Sequence, residues 1–577
     1  MSTGVSQLRE NRGVIVLPHG VDIFLRVASR AWLLVAVGVF TYEAVQGNIP
    51  RDPEGGPFTE DVLVPLQLAL LALTGIGLLV SFRWMAVAAA VVAVGGSGMG
   101  VLATLQYEPP FGFFVVLVFL VPAVMMWLDW QHQETLGKIL ALALGTAVLL
   151  GSAWVGATEV YANYLGPAHP QSATARLPAS PVRWLWSGAV DTDGFAVAVR
   201  LRDEAESVRL IVRDSQDVRV ARSAAAAVPD ADDPVTLVVS GLEPATQYHY
   251  AVEIDGVVDE VRTGRVRTFP AAASSFAVAV SAGARTNSNG SVFDTIRDID
   301  PDLYINTGDL HYRNIADNSI SQFRSAFAQV HDSPAQSALY RSVPIAYVWD
   351  DHDYGANDAD ASSTSRPAAW AAYRSHVPHY ELPSGDQGPI NQAFTIGRVR
   401  FILTDSRSQR QPGDATMLGE AQLQWFLDEI LAARDTHALT VWVSSVPWIA
   451  ADNPSSDSWG GYADERTQIG EFLDQNDITN LVMIAGDAHM VAIDDGTNSG
   501  YGGHQGFPVL QAAALDRPGS VKGGPYSHGT FPGAGQFGLV QVTDDGGDRI
   551  EATLIGLDYT GAELVRLEVS YDATPPA

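Results

Sequence analysis

Long, almost uncharged apolar stretches dominate the first 165 residues of this 577-residue chain. Each of the clearest stretches is close to the roughly 20 residues that a helix needs to cross a bilayer. These stretches are Val62–Phe82, Met85–Leu105, Phe111–Leu128 and Ile139–Ala157. A fifth, about Arg30–Gln46, is weaker because its apolar run is short and Glu43 lies near one end. Several spans in close succession do not fit a cleaved signal peptide, so we predict an all-α transmembrane bundle of about five spans over residues 1–165.

Basic residues in the loops predict the orientation, because Lys and Arg are enriched on the cytoplasmic side. They lie before the first span, in the second loop and in the fourth loop (Arg9, Arg12, Arg26, Arg30, Arg83, Lys138). The first loop, residues 52–61, is mostly acidic. With five spans all basic segments are cytoplasmic and everything after about Ala162 is extracytoplasmic. Omitting the first span would put the acidic loop on the same side as Arg9–Arg30 and reverse the rest, so five spans is the consistent count.

The spans contain no internal charged pair of the kind that marks a transport path. The glycine-rich segment 95–100 favours close helix packing rather than the lining of a pore. We therefore predict that the apolar region serves as an anchor of a multi-pass protein of the cell membrane.

Acidic residues outnumber basic ones, and the formal net charge is −30. A polyanionic partner would be repelled, so no nucleic-acid binding is expected. A solvated surface that serves solubility accounts for this charge, and attraction of divalent cations is the alternative. The chain has no cysteine, which excludes disulfides, Cys-type zinc sites and thiol catalysis but leaves the compartment open.

The polar part of the chain divides into a linker and two domains. Residues 166–180 have the composition of a linker. Short alternating runs separated by turn residues recur over 181–270, as in a small β-sandwich. Segments 241–252 and 264–270 resemble the closing strands of a fibronectin type III-like domain. We predict a fibronectin III-like β-sandwich over 181–270 and a larger domain over 271–577.

Four strand-like runs in the larger domain each end in acidic or imidazole residues. They are residues 302–312, 345–358, 401–407 and 481–489. Runs this apolar are typical of strands buried on both faces in a sheet covered by helices. The amphipathic segment 417–432 predicts a helix between the last two. Because ligand sites in open α/β sheets form at the carboxyl ends of strands, we predict a layered α/β domain with a metal-dependent site there.

The oxygen-bearing residues at these ends suit a hard or borderline metal ion. Asp309 and Asp487 each follow a glycine, so a tight turn can present the carboxylate to one or two ions. Tyr312 can supply a phenolate, which suits ferric iron. Asn357 offers a neutral oxygen that is tolerable beside Ca²⁺.

Two histidines accompany these oxygens. His489 can be a ligand or an orienting base, and His352 lies between acids that raise its basicity. Each motif is weak by itself, because Gly-Asp strand ends are common and an Asp-Asp-His-Asp run is often a solvated loop. Their order along the chain is more specific.

Taken in order, the motifs resemble the PhoD-like (alkaline phosphatase D) branch of the calcineurin-like metallophosphoesterases. The matching segments are Gly-Asp-Leu-His-Tyr at 308–312, Trp-Asp-Asp-His-Asp-Tyr-Gly-Ala-Asn-Asp at 349–358, Asp-Ser-Arg-Ser at 405–408, Gly-Asp-Ala-His at 486–489 and residues 417–427. The resemblance covers about Pro181 to Ala577, including the β-sandwich that commonly precedes the phosphatase domain. It does not cover the membrane region.

The resemblance implies roles for individual residues. The implied metal ligands are Asp309, Tyr312, Asp351, Asn357, Asp487 and His489, with calcium and iron as the ions. The implied supporting residues are Asp350, Asp353 and His311, and the implied catalytic residues are His352, Arg285 and Arg407. The two arginines are candidates to hold phosphate, since a guanidinium binds its oxygens in bidentate fashion. For Arg407 a salt bridge to Asp405 or a neighbour is an equal alternative.

One position departs from the family pattern. Members usually have a cysteine at the end of the first strand of the catalytic domain, as a ligand of iron, and here Gly283 occupies that position. Either a different metal binds, or water fills the place, or activity is lost. The loss of a soft anionic ligand leaves a harder, oxygen-rich set, so we expect this protein to prefer Ca²⁺, Mn²⁺ or Mg²⁺ over iron more than the other members of the family do. Tyr312 argues the other way, because a phenolate favours ferric iron.

Two hypotheses follow. The first is a membrane-anchored, extracytoplasmic phosphatase or phosphodiesterase that hydrolyses phosphoesters by metal-activated water. Membrane tethering suggests an envelope phosphodiester or a phospholipid as substrate. The second is a catalytically weakened surface receptor that keeps the phosphatase fold and the metal as a binding platform, and Gly283 favours it.

Overall fold

The structure is a computed structural model that describes residues 19–46, 60–103, 109–131 and 170–573, apart from 175, 229, 231, 386, 413–415 and 518. The chain forms two compact units, Met1–Gly166 and Pro167–Ala577. The predicted span Ile139–Ala157 lies outside the described residues, so the count of five spans stays a prediction.

The first unit is a set of apolar helices. They are α1 (His19–Gln46), α2 (Glu60–Val80), α3 (Met85–Ala103) and α4 (Pro109–Gln131). Three stretches within them, Ile23–Thr41, Met85–Ala103 and Gly112–Trp130, are long and apolar enough to cross a membrane, and α2 contains the shorter apolar stretch Leu66–Val80.

The first helix corrects the predicted span, which was too short and was judged weak. It covers His19–Gln46, and its apolar stretch is Ile23–Thr41. Two arginines in its first half have partners on or next to neighbouring helices. Arg26 forms two hydrogen bonds of 3.1 Å with Asp129 of α4, and Arg30 contacts Ser81 just after α2. These contacts place the start of α1 and the ends of α2 and α4 on one side of the bundle, as alternating helices require.

Close packing at the glycine-rich segment is confirmed. A Cβ atom on Gly96 would lie 2.1 Å from the Cβ of Phe119, and one on Gly100 would lie 2.2 Å from Val116 Cγ2. Contacts this short are impossible for a real side chain, so α3 and α4 approach each other only because these positions are glycine.

The second unit contains three β-sheets and seven α-helices among its described residues. The strands are β1 (Val182–Gly188), β2 (Phe195–Leu201), β3 (Ala205–Arg213), β4 (Arg219–Arg222), β5 (Ala226–Val228), β6 (Val235–Val239), β7 (Gln247–Ile254), β8 (Val257–Arg267), β9 (Phe276–Ser281), β10 (Leu303–Asn306), β11 (Ile345–Tyr347), β12 (Gln392–Ile396), β13 (Val399–Leu403), β14 (Leu439–Ser444), β15 (Leu481–Ala485), β16 (Met490–Asp494), β17 (Val509–Ala512), β18 (Thr530–Pro532), β19 (Gln536–Thr543), β20 (Arg549–Asp558) and β21 (Glu563–Asp572). The helices are α5 (Ser291–Ile299), α6 (Ile320–Asp332), α7 (Pro334–Ser342), α8 (Asp351–Tyr354), α9 (Arg366–His376), α10 (Glu420–Thr436) and α11 (Ala463–Gln475).

Two large sheets form the frame of this unit. The first has nine strands in the order β21-β20-β19-β9-β10-β11-β1-β2-β6, and the second has seven in the order β12-β13-β14-β15-β17-β16-β18. Strands β9, β10 and β11 are parallel in the first sheet, and β13, β14, β15 and β17 are parallel in the second. The carboxyl ends that carry the predicted site residues therefore belong to two sheets.

The side chains of β15 show what covers each face. Val482 and Ile484 belong to the core that also contains Val278 and Val280 of the first sheet. Leu481 and Met483 belong to a second core, which also contains Phe426 of α10 and Ile469 of α11. The predicted single sheet between helices is thus corrected to two sheets packed face to face with helices outside, an arrangement that buries both faces of a strand equally well.

The segment predicted as a fibronectin III-like sandwich contributes to two sheets. Strands β3, β4, β5, β7 and β8 form the third sheet, whereas β1, β2 and β6 extend the nine-stranded one. Strand β1 meets β11 in parallel, with Gly188 paired to Ile345. Part of the predicted linker is also docked, because Gln171 forms a β-bridge with Gly290. The fibronectin-like assignment and the domain boundary at 270 stay predictions.

Candidate metal centre

The turn after β10 brings the first predicted carboxylate against the end of β11. Gly308 has a φ of +114°, and a Cβ atom there would lie 2.4 Å from the Cβ of Asp350. Only glycine fits so close an approach. Asp309 follows in the left-handed region, with a φ of 53°. The glycine of the Gly-Asp motif is therefore a geometric requirement of this turn.

Asp353 holds this turn in place. Its carboxylate accepts hydrogen bonds from the backbone N–H groups of Asp309 at 2.8 Å and Leu310 at 3.2 Å, and from the hydroxyl of Tyr347. Burial raises the pKa of Asp353 to about 7. This geometry fits the predicted supporting role of Asp353.

Asp309, Tyr312 and His489 lie together. The Tyr312 hydroxyl donates to Asp309 Oδ2 at 2.6 Å and lies 3.0 Å from His489 Nε2. All three side chains come from segments that follow strands in different sheets, β10 and β15. Burial raises the pKa of both Asp309 and Tyr312 well above their usual values. The neighbouring Asp309 carboxylate raises the pKa of Tyr312 further.

Asp351 and His352, which belong to α8, lie close to Asp309 and Tyr312. Metal-ligating atoms of Asp309, Asp351 and His352 all lie within 4.8 Å of one another. His352 Nδ1 is hydrogen-bonded to Asn314 Oδ1, and its ring centroid lies 4.3 Å from that of Tyr312. Burial disfavours the charged ring, but Asp351 and Asp309 raise the pKa of His352 above its usual value.

Two predicted ligands have an oxygen that suits a metal. Asp309 Oδ1 and Asp487 Oδ2 are buried and have no hydrogen-bond partner within the described ranges. An unpaired buried carboxylate oxygen is costly unless a cation or a proton neutralises it. The donor set of carboxylates, phenol and imidazole fits a metal ion, and a bound cation would lower the raised pKa values of these groups.

Arg407 lies beneath the acids. Its side chain is fully buried, Nε donates to Asp350, and Nη2 lies 3.2 Å from Asp457 Oδ2. Asp350 also accepts from the Ser445 hydroxyl at 2.8 Å. Burial raises the pKa of Asp351, but the charges of Arg407 and His352 hold it down, to about 2. The geometry favours the salt-bridge alternative for Arg407, with Asp350 as partner.

Asp405 holds the loop that carries Arg407. It accepts hydrogen bonds from the backbone N–H groups of Arg407 at 3.0 Å and Ser408 at 2.9 Å, and from Trp349 Nε1 at 2.8 Å. These bonds fix the loop after β13 that presents Arg407.

The described contacts do not bring Asn357 or His311 into this cluster. The loop of Arg285 is hydrogen-bonded to the cluster, because the Thr286 hydroxyl accepts from the backbone N–H of Tyr312 at 2.9 Å. Asn357 is exposed in the loop after α8, and Arg285 is half-buried in the loop after β9. His311 is fully buried against Phe327 of α6, with a distance of 6.1 Å between ring centroids. Burial lowers the pKa of His311 to about 3, so this ring is neutral in the folded protein.

Four residues that lie around the acidic side chains of the site were not predicted from the sequence motifs. Lys522 Nζ lies 2.8 Å from Asp487 Oδ1, and the guanidinium of Arg517 lies 4.2 Å from the centroid of the Tyr312 ring. Asp457 and Ser445 contact Arg407 and Asp350, as described above. They lie in loops rich in small and polar residues, and only the uncommon lysine in the Gly-rich segment 519–524 was a signal.

Gly283, which stands where the family pattern has a cysteine, lies beside the predicted metal centre. A Cβ atom there would lie 3.5 Å from His489 Cδ2 and 3.3 Å from the Cβ of Ala514. Its φ is +73°, in the left-handed region. A side chain at this position would therefore adjoin the metal centre but would be strained.

Residues 276–510 match the model of the family described as PhoD-like phosphatase. Alkaline phosphatase D of Bacillus subtilis (strain 168) is 24% identical over 420 residues, which are 61% of this chain and 70% of that protein. The solved structure of PhoD has 17% identity and a TM-score of 0.56, and covers 68% of this chain and 94% of its own. The resemblance predicted from the motifs is confirmed, and the structural match shows a PhoD-like fold.

Proposed function

We propose, from the match of residues 276–510 to the PhoD-like phosphatases, that this protein is a metal-dependent phosphatase or phosphodiesterase. The observation that carries the proposal is the convergence of Asp309, Tyr312 and His489, with the unpaired buried oxygens of Asp309 and Asp487 beside them. A metal ion bound by these residues would supply a Lewis acid for the phosphoryl oxygen and acidify a water molecule.

The protein's own residues prepare that chemistry. Asp353 holds Asp309 in its turn, so the metal ligand is positioned before substrate arrives. His352 is favoured as an imidazolium by Asp351 and Asp309. We assign it the delivery of a proton to the leaving-group oxygen, with Asn314 orienting its ring through Nδ1.

Arg407 organises the carboxylates in this proposal. Its pairing with Asp350 and Asp457 uses Nε and Nη2, and a guanidinium so engaged cannot form a bidentate contact with phosphate through those atoms. Arg285, which is half-buried in the loop after β9, is the better candidate for the substrate's phosphate.

The test uses the full-length protein purified in detergent and stripped of metal. We expect hydrolysis of p-nitrophenyl phosphate or its bis ester after addition of Ca²⁺, Mn²⁺ or iron. Asp309→Asn should abolish turnover, and the exposed Asp435→Asn should leave it unchanged. No turnover with any metal mixture would refute the proposal.

The second hypothesis, a surface receptor, is favoured by Gly283, which offers no side-chain ligand beside His489. It predicts that metal binds and raises the unfolding temperature while neither ester is hydrolysed. The same purified protein therefore distinguishes the two functions.

We further propose that the catalytic unit is extracytoplasmic and anchored by the apolar helices. The contacts of Arg26 and Arg30 put the basic start of α1 on the same side as the ends of α2 and α4. A fifth span at 139–157 would then carry the rest of the chain to the opposite side. An envelope phosphodiester or a phospholipid would be within reach of a site tethered in this way.

A further inference from the structure

One cation of the site contacts a predicted metal ligand directly. Lys522 Nζ lies 2.8 Å from Oδ1 of Asp487, whose side chain is 6% exposed, while that of Lys522 is 29% exposed. The lysine lies beyond residue 510, where the match to the family ends. Nothing in that match accounts for it.

The loop that carries this lysine is tied to the site on both sides. The backbone N–H of Ser520 donates to the carbonyl of His489 at 3.0 Å, and that of Gly524 donates to the carbonyl of Ile449 at 2.7 Å. Between these anchors Gly523 has a φ of +73°. The ammonium can therefore change its partner by a change of rotamer, but it cannot leave the neighbourhood of Asp487.

The ammonium contacts Oδ1 of Asp487, and the unpaired Oδ2 of the same carboxylate suits a metal ion. Asp487 is one of the residues whose buried oxygen suits a metal, and the repulsion between two cations on one carboxylate opposes simultaneous binding. A lysine released from Asp487 would remain beside the loaded centre, where the substrate's phosphoryl oxygens are the complementary charge.

We propose that Lys522 is an exchangeable cation that holds Asp487, yields it to the metal, and then binds the phosphoryl group of the substrate. This inference rests on the proposed function, because it needs a metal at Asp487. It assigns Lys522 two measurable effects of opposite sign. The lysine weakens the binding of metal, and it strengthens the binding of phosphate to the metal-loaded protein.

The test compares Lys522→Met and Lys522→Arg with wild type, and uses Arg313→Met as a control that removes an exposed cation close to Tyr312 in sequence. Calorimetry on the full-length protein in detergent gives the affinity for Mn²⁺, and then the affinity of the Mn²⁺-loaded protein for inorganic phosphate. We expect Lys522→Met to bind Mn²⁺ about tenfold more tightly and phosphate about tenfold more weakly. Lys522→Arg should keep most of the phosphate affinity, and Arg313→Met should resemble wild type.

The outcomes separate this inference from the proposed function. Unchanged Mn²⁺ and phosphate affinities in Lys522→Met would overturn the role of Lys522 alone. Equal shifts in Arg313→Met would assign the effect to the general field of positive charge and would also overturn it. Failure of wild type and all variants to bind Mn²⁺ would overturn the metal centre itself. Unfolding temperatures measured without added metal check that each variant is folded.

Discussion

At the scale of single residues, the backbone is strained at two of the three predicted carboxylate ligands. Asp309 and Asp487 have φ values of 53° and 66°, in the left-handed region that costs an ordinary residue about 1–2 kcal/mol. Each follows a glycine whose Cβ would clash with the neighbouring strand end, 2.4 Å from Asp350 for Gly308 and 2.5 Å from Thr307 Oγ1 for Gly486. The close approach of neighbouring strand ends thus leaves no room for a side chain at either glycine, and the carboxylate follows in each turn.

Gly283 provides a residue-scale prediction. Gly283→Cys should strengthen iron retention, because the thiol would adjoin His489, but it should also lower the unfolding temperature because the φ of +73° disfavours any side chain. Gly283→Ala carries the same backbone cost without a thiol and is the matched control. The measurement is elemental analysis of iron after purification. Equal iron content in the Cys and Ala variants would contradict the prediction, as would a wild-type protein that already holds stoichiometric iron.

Residue identities within motifs were predictable from sequence, and residues supplied by loops were not. Asp309, Tyr312 and Asp487 follow strand ends, so the direction of the chain fixes where they lie. Lys522 and Asp457 reach the site from loops whose course depends on tertiary packing. Asn357 was chosen by family pattern, and the structure leaves it exposed.

At the scale of elements, the contact between α3 and α4 depends on glycine, and this gives a second prediction. Gly96→Val should destabilise the bundle strongly, because a Cβ there would lie 2.1 Å from the Cβ of Phe119. Gly38 of α1 has nothing within 4 Å of its Cβ position, so Gly38→Val is the control and should be tolerated. Thermal unfolding of the full-length protein in detergent measures both. Similar unfolding temperatures for the two variants would contradict the assigned packing.

The strands themselves were predicted correctly, but their distribution over two sheets was not. A strand that is apolar on both faces has the same sequence whether a helix or a second sheet covers it. In β15, Ile484 belongs to one core and Met483 to the other. The sequence of the strand does not say which face packs against the other sheet and which packs against the helices.

At the scale of the whole molecule, the orientation across the membrane is the third prediction. Reporter fusions at about residue 169 should be active with an enzyme that works only outside the cytoplasm, and dark with a fluorescent protein that folds only inside. The reason is the cytoplasmic location expected for the basic start of α1 and the odd number of predicted spans. The reverse pattern of activity would mean four spans and cytoplasmic substrates.

The pH dependence of stability is the fourth prediction. His331 is fully buried, stacks on Trp184 with 4.7 Å between ring centroids, and has its pKa lowered by burial from 6.5 to about 3. The unfolded chain takes up a proton near pH 6.5 and the folded one does not. The contribution of neutral His331 to the free energy of unfolding is therefore fully present above pH 6.5. It is lost as the pH falls toward 3, by up to about 1.4 kcal/mol per pH unit.

His331→Phe keeps a ring in the stack and removes this titration. Unfolding temperatures between pH 4 and 8 should therefore fall less steeply with acid in the variant than in wild type. Replacing the exposed His249 by Phe should leave the wild-type slope unchanged. Parallel pH profiles for wild type and His331→Phe would show that burial of His331 does not set the dependence. The comparison between variants cancels the carboxylates, which titrate in all of them.

Strand β9 lies between β10 and β19, so one of its two neighbours in the sheet comes from a much later part of the chain. Val280 pairs with Gly538, a residue that is synthesised after all of the predicted metal ligands. Until β19 has been made, one edge of β9 lacks the strand that pairs with it in the folded protein. Such long-range pairing slows folding and exposes an open strand edge to other chains. The strand that completes the pairing of β9 is therefore made after the residues of the predicted metal centre, which all come earlier in the chain.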